Sequence, residues 1–260
     1  MGALEDKVVV ITGASRGLGE AIAVAYAGQG AQLVLAARSI DDLERVQKRC
    51  ADAGASSVTV ARTDITAEAD VETLISGVIE RTGRIDVFVA NAGTSYAMLT
   101  DKRYAQLWTY DLDIAEQILR VNAIGTWLCL KHALPVMTEG SSCIVIGSET
   151  GRALRPGSGW YAISKGTTEA LATMASREVA DRGIRVNVLS PGGMVDTQLF
   201  GPTGMPEMLK QHAPPLPAEI IAAPAIWLAS EDSIGVTGAF LSGRAWPSKS
   251  ADEWKQELTA

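Results

Sequence analysis

Tyr161 and Lys165 stand four residues apart in "YAISK". Residues at i and i+4 of a helix share a face, so a phenol and an ammonium can meet there. A free phenol ionises at about pH 10, too high for an efficient base at neutral pH, and a neighbouring cation favours the phenolate. Most such pairs are plain solvated surface, so the pair needs company. "TGASRGLG" (12–19) supplies some, with Gly13, Gly17 and Gly19 between an apolar run and a helical pattern. Glycines let a backbone approach a pyrophosphate, and a helix N-terminus attracts its charge. The GxxxGxG spacing departs from GxGxxG, and a tight strand-to-helix turn is the plainer use of such glycines.

The next run ends in "LAARS". An NAD site usually closes its second strand with an acid that grips the ribose 2′-hydroxyl. Ala37 and Arg38 stand there instead, and Asp41 and Asp42 fall in the following helical turn, where capping explains them. Arg16, inside the glycine loop, and Arg38 could clamp a 2′-phosphate from two sides, since guanidinium matches phosphate geometry. Two surface arginines are the alternative. The expectation is NADP(H), with NAD(H) less favoured.

The elements that must position these groups follow from pattern. Short apolar strands are expected at 7–12, 31–37, 56–63, 85–93, 143–148, 184–190 and 237–241. Helices are expected at 18–30, 39–54, 66–83, 114–137, 160–182 and 217–230, the second opened by Ser39 with Asp42 three residues on. Such alternation, with continuously apolar strands, implies a parallel sheet covered on both faces. One domain over 1–260 is expected, because no repeat or linker divides the chain. The proline-rich stretch 192–217 reads as a lid or substrate loop.

The 260 residues, 47% hydrophobic and 20% charged, are globular in composition, and a net charge of −7 argues against a nucleic-acid surface. Cys50, Cys129 and Cys143 form no CxxC pair, which suggests a reduced cytoplasmic protein without disulfides. His132 and His212 are far apart and lack neighbours at ligand spacing, so no metal is expected. "MGALEDKVVV" reads as the approach to a strand and not as a secretory leader, and Asp6 breaks the acylation pattern despite Gly2. No apolar stretch is long enough to cross a bilayer.

"TGASRGLG", "NAG" (91–93), Asn122 in "RVNAIG", Ser148 in "GSETG" and "YAISK" together resemble the short-chain dehydrogenase/reductase family in its single-domain branch, from about residue 5 to 243. The resemblance implies a Rossmann-type, doubly wound, seven-stranded α/β fold and hydride transfer between nicotinamide and a carbinol or carbonyl carbon. It implies that Tyr161 moves the matching proton and that Lys165 supplies charge and holds the nicotinamide ribose. Ser148 would hold the substrate oxygen, and Asn122 a water linking Lys165 to solvent. It further implies cofactor contacts from Gly13, Ser15, Arg16, Gly17, Leu18 and Gly19, from Asp64 and Ile65 at the adenine edge, and from Asn91, Ala92 and Gly93. Pro191 and Gly192 would lie beside nicotinamide, with Thr197 reaching its carboxamide.

Three features depart from the family pattern: a long interval over 94–113, Thr197 one residue late after "PG", and the absence of a C-terminal "DGG". The tail 246–260 is additional, and it could cover the chain's own site or pack on a neighbour. Trp160, Met194, Leu199, Phe200, Met205 and Met208 suggest an apolar, bulky alcohol or ketone as substrate. Packing within the loop is the alternative. Glu149, Arg152 and Arg155 point to a polar substrate or an acidic carrier protein, as in 3-oxoacyl carrier-protein reductases. A non-catalytic NADP-binding sensor, or an isomerase or dehydratase on the same fold, are further rivals. Relatives suggest a homotetramer or homodimer through helices 114–137 and 160–182.

Overall fold

The computed structural model describes residues 2–100, 105–201, 204–205, 207–212 and 214–259, with the backbone alone at Met208, Leu209 and His212. Pro202, Pro206 and the Met208 side chain, counted above in the lid, lie outside this description, as do 101–104 of the long interval. Seven parallel strands form one sheet in the order β3-β2-β1-β4-β5-β6-β7. They are β1 (Val8–Thr12), β2 (Gln32–Ala37), β3 (Ser57–Arg62), β4 (Val87–Ala90), β5 (Ser142–Ile146), β6 (Arg185–Ser190) and β7 (Phe240–Ser242). The chain builds outward from β1 to β3, then returns to the other side of β1 with β4. That reversal opens a crevice at the strands' carboxyl ends, where doubly wound folds bind ligands.

Alternation along each strand feeds two cores. Val9 and Ile11 face one layer with Leu33, Leu35, Ile144 and Leu189. There they meet α1 (Gly17–Ala27), α2 (Ile40–Ala53) and α10 (Ala222–Ala229). Val8 and Val10 face the other layer with Phe88, Val145 and Val186, against α3 (Glu68–Thr82), α6 (Thr126–Ala133) and α8 (Gly159–Glu178). Each fully buried aliphatic side chain contributes roughly 1.5–3 kcal/mol. The strands read as unbroken apolar runs because both faces are covered.

Where sequence periodicity implies one helix over 114–137, the chain makes α5 (Leu112–Leu119), a π-helical turn over Arg120–Gly125, and then α6. Gly125 marks the reason: a Cβ there would stand 2.6 Å from Ile65 Cδ1, so the helix passes tight against the end of β3. A wider turn at such a place commonly marks a functional position, and it holds Asn122. The expected helix at 217–230 starts as a 3-10 turn over Ala218–Ile221. The last strand lies later than 237–241, because Gly238, at φ 72°, still belongs to the turn before it.

The stretch 192–217 carries a 3-10 turn at Gln198–Phe200, α9 (Glu207–His212) and a single parallel bridge between Val195 and Leu216. It docks on α4 (Tyr96–Leu99): Ser95 donates to the Leu199 carbonyl, and Gly201 lies so close that a Cβ would meet Ala97 O at 2.6 Å. The tail forms α11 (Ala251–Thr259) and folds onto its own chain beside α10. Trp246 packs on Trp227 at 5.1 Å and stacks on Trp254 at 6.0 Å, whose indole N–H donates to the Trp246 carbonyl at 3.0 Å. No helix among the described residues is long and apolar enough to cross a membrane.

Candidate active site

The glycine loop is built by contacts that exclude side chains. Gly13 has φ 65°, and a Cβ there would stand 2.7 Å from the Ala92 Cα. A Cβ on Gly19 would lie 2.3 Å from the Gly13 carbonyl and 2.5 Å from Asn91 Nδ2. Asn91, just past β4, staples the turn by donating to the carbonyls of Thr12 (2.9 Å) and Gly13 (3.0 Å). The Ala92 amide donates to Thr12 Oγ1 at 3.3 Å.

No side chain caps the N-terminus of α1, where Arg16 is the capping residue. Its first-turn amides therefore have no partner within the helix, as an anion-binding turn requires. Glu20, the acid in that turn, is drawn off to Arg45 and Arg49, and burial is outweighed by those two partners, which hold its carboxyl below the usual range. Arg45 also donates to the Ser15 carbonyl at 2.9 Å, tying α2 to the loop. These residues fit a bound pyrophosphate.

Arg16 and Arg38 do not share a partner. Arg16 crosses to Gln198, while Arg38 is exposed at the end of β2. Asp64, just past β3, accepts from the Thr66 amide and hydroxyl at 2.9 and 2.8 Å. Burial opposes its charge, but those bonds and the nearby Arg38 and Arg62 win and lower its pKa. The Ile65 side chain is buried against Gly125, so it serves packing. Thr197 caps the 198–200 turn and covers the glycine loop, 3.3 Å from where a Gly17 Cβ would stand.

Ser148, Tyr161 and Lys165 converge past the end of β5. Ser148 caps α7 (Glu149–Ala153), its Oγ accepting from the Thr150 amide at 3.2 Å. Gly151 lets α7 lie directly on α8, because a Cβ there would stand 2.7 Å from the Lys165 carbonyl carbon and 2.6 Å from the Gly166 amide. That approach brings the Ser148 hydroxyl within hydrogen-bonding reach of the Tyr161 phenol. Lys165 is buried and donates to the Ile146 carbonyl at 2.8 Å. Burial lowers its pKa to about 8.

The phenol corrects the sequence reading. Tyr161 is expected to be made more acidic by Lys165, yet burial, reinforced by the Glu149 carboxylate, pushes it up to about 12 against the Ser148 hydrogen bond. Enclosure disfavours phenolate, and the Lys165 ammonium is itself committed to Ile146.

Asn122 bonds the backbone of Thr94 on both sides, accepting from N at 2.8 Å and donating to O at 2.9 Å, and also donates to Ser164 Oγ at 2.9 Å. Its side chain is thereby spent on joining three segments. Gly93 is the point where it approaches Lys165: a Cβ there would be 3.2 Å from Asn122 Oδ1 and 3.8 Å from Lys165 Nζ. Pro191 and Gly192 lie just past the parallel ends of β6 and β7, with the Arg244 backbone amide donating to the Pro191 carbonyl at 3.1 Å.

Trp160, Met194, Leu199 and Phe200 are partly buried, and Met205 is buried. Glu149 turns to Ser190. Arg152 pairs with Glu169 and lies over Phe240. Sequence reasoning missed Ser190 and Tyr110. Tyr110 packs on Tyr96 at 4.6 Å and takes a hydrogen bond from the Trp160 amide at the start of α8. Gly159, at φ 47°, makes room for it: a Cβ there would lie 2.1 Å from the Tyr110 hydroxyl. Among the described residues no three His, Cys, Asp or Glu side chains gather as ion ligands.

A family model described as "Enoyl-(Acyl carrier protein) reductase" matches residues 13–242. A glycine betaine reductase of Emericella nidulans is 34% identical over 222 residues, which span 85% of this chain but 17% of that protein. An uncharacterized NAD-dependent oxidoreductase of Mycobacterium tuberculosis is 31% identical over 91% of this chain and 94% of its own length. A carveol dehydrogenase from Mycobacterium avium, solved in complex with NAD, superposes with a TM-score of 0.82 at 24% identity, over 93% of this chain and 97% of that one, a likeness of fold.

Proposed function

The chain belongs to the short-chain dehydrogenase/reductase family of oxidoreductases, and from that premise we propose that it is an NADP-dependent alcohol dehydrogenase or carbonyl reductase. The observation that carries this is the convergence of Ser148, Tyr161 and Lys165 at the strand ends that also carry the glycine loop. When bound, the nicotinamide accepts or gives the hydride. The Ser148 hydroxyl donates to the substrate oxygen and steadies its developing charge. The Tyr161 phenol gives that oxygen a proton in carbonyl reduction and takes it back in alcohol oxidation. Lys165 stands ready to stabilise the phenolate and hold the nicotinamide ribose. Asn122 joins the 93–94 turn to α8 and so keeps Lys165 in register.

NADP is favoured over NAD by Arg38 at the end of β2, exposed and with no acid in the ribose-gripping position. The partly buried Trp160, Met194, Leu199 and Phe200 support an apolar, bulky ketone or secondary alcohol. An acyl carried on a carrier protein is the second reading, favoured by the description of the matching family model. Ile124, Trp127, Ile163 and Met174 are exposed on the π turn, α6 and α8, which supports a dimer or tetramer formed through these helices. Tyr161→Phe should abolish turnover across a panel of ketones and alcohols while NADPH still binds. Retained turnover would remove Tyr161 from the proton step.

A further inference from the structure

The proposed chemistry makes no use of residues 106–113, within the long interval. Every residue of that stretch is exposed except Tyr110, which turns inward. Its ring tilts onto the buried Tyr96, with centroids 4.6 Å apart. Its hydroxyl lies 2.1 Å from where a Gly159 Cβ would stand, and ring atoms Cζ and Cε2 follow at 2.5 and 2.6 Å. Gly159 opens α8 at φ 47°, so glycine supplies both the backbone conformation and the close approach. Ser158, the capping residue of α8, makes no side-chain bond to the helix. The first amides of a helix have no partner inside it, and the Tyr110 hydroxyl takes the Trp160 amide in place of a cap.

Tyr161 therefore lies between two clasps. Ahead of it, Tyr110 is lodged against Gly159. Behind it, Ser164 donates to the Tyr161 carbonyl at 2.7 Å and accepts from Asn122 at 2.9 Å, while Asn122 holds Thr94. Both clasps end on one segment, 94–96, because Tyr110 rests on Tyr96. Ser95 of that segment donates to the Leu199 carbonyl of the substrate loop. The start of α8, α4 and the 198–200 turn thus form one connected unit.

We propose that Tyr110 is a positioning residue of the proton transfer: lodged against Gly159 and resting on Tyr96, it fixes the first turn of α8, and with it Tyr161, relative to α4 and the substrate loop. This presupposes Tyr161 as the proton-transfer group. A reacting group misplaced by about 1 Å can cost about 100-fold in rate, so a turn left loose ahead of the phenol bears directly on turnover.

The test combines hydrogen exchange of the cofactor-free protein, followed by mass spectrometry over 159–165, with steady-state kinetics. Tyr110→Phe keeps the ring on Tyr96 and removes the hydroxyl. The first turn of α8 should then exchange about tenfold faster, as loss of one hydrogen bond allows. With NADPH and the ketone of the panel that is reduced fastest, kcat should fall about tenfold. Lys165 keeps its own anchor on Ile146, so NADPH affinity should stay at the wild-type value, whereas a merely structural role would lower both together. Gly159→Ala drives a Cβ into the Tyr110 hydroxyl, and Tyr110→Ala removes what it strikes. Gly159→Ala should therefore lower kcat more in wild type than in Tyr110→Ala, where only the backbone strain is left. With Tyr161→Phe inactive, any of four results overturns this inference alone: wild-type exchange in Tyr110→Phe, wild-type kcat in that variant, a loss of NADPH affinity that matches its loss of kcat, or an equal effect of Gly159→Ala in both backgrounds. A Tyr161→Phe protein that keeps its turnover overturns the proton-transfer reading and this inference with it.

Discussion

Replacing Lys165 by methionine should remove activity and yet make the cofactor-free protein more stable. Lys165 is 7% exposed, and burial takes its ammonium from 10.5 to about 8. Each pH unit of that displacement corresponds to about 1.4 kcal/mol, so the buried charge costs the fold about 3 kcal/mol near neutral pH. Below about pH 8 both folded and unfolded chains hold the proton, and the cost is fully present. Between there and 10.5 the unfolded chain holds a proton that the folded chain has released, so this contribution to stability rises with pH. Above that window neither is charged and the cost is gone. Methionine has no charge to bury, but it forfeits the bond to the Ile146 carbonyl, which offsets about 1–2 kcal/mol. The net expectation is a gain of about 1–2 kcal/mol at neutral pH, shrinking to zero or below as the pH approaches the upper end of the window. Urea unfolding of wild type and Lys165→Met without cofactor, at neutral and at alkaline pH, measures it. A variant less stable than wild type at neutral pH, or a difference that ignores pH, would refute the reasoning. The cost is of the kind that active sites impose on a fold.

Arg38→Asp should weaken NADPH binding by at least tenfold, about 1.4 kcal/mol, and NADH binding much less, measured by fluorescence titration; equal losses would undo the 2′-phosphate assignment. Gly19→Ala should abolish cofactor binding and lower the melting temperature, because its Cβ would stand 2.3 Å from the Gly13 carbonyl within the loop. Arg185→Met should destabilise by about 1–3 kcal/mol in denaturant melts, since the buried guanidinium donates to the carbonyls of Leu228 and Ser230 where α10 ends, and methionine leaves those carbonyls only the bonds from the Ser142 and Ser233 hydroxyls.

The long strands and most helices were legible because both-face burial leaves a continuous apolar run and helix burial leaves a turn-spaced one. Gly54 and Gly83, at φ 107° and 73°, end α2 and α3 where glycine punctuates the pattern. The 114–137 segment was misread as one helix, because its apolar spacing carries no trace of the contact between Gly125 and Ile65 that accompanies the π turn. Sequence motifs likewise pointed to Tyr161, Lys165 and Ser148 as a group, while Ser190 and Tyr110 stood in no recognisable pattern.

What the sequence determined by itself is local: which runs are apolar, where glycine permits a turn, and that a phenol and an ammonium share a helix face four residues apart. The tertiary structure decided the energetics of that pair. It brought Ser148 from another loop to the phenol, gave the ammonium a carbonyl from β5, and buried the ammonium. Proton affinity depends on solvation and on charges from every direction, and a chain of residue types carries neither until it is folded.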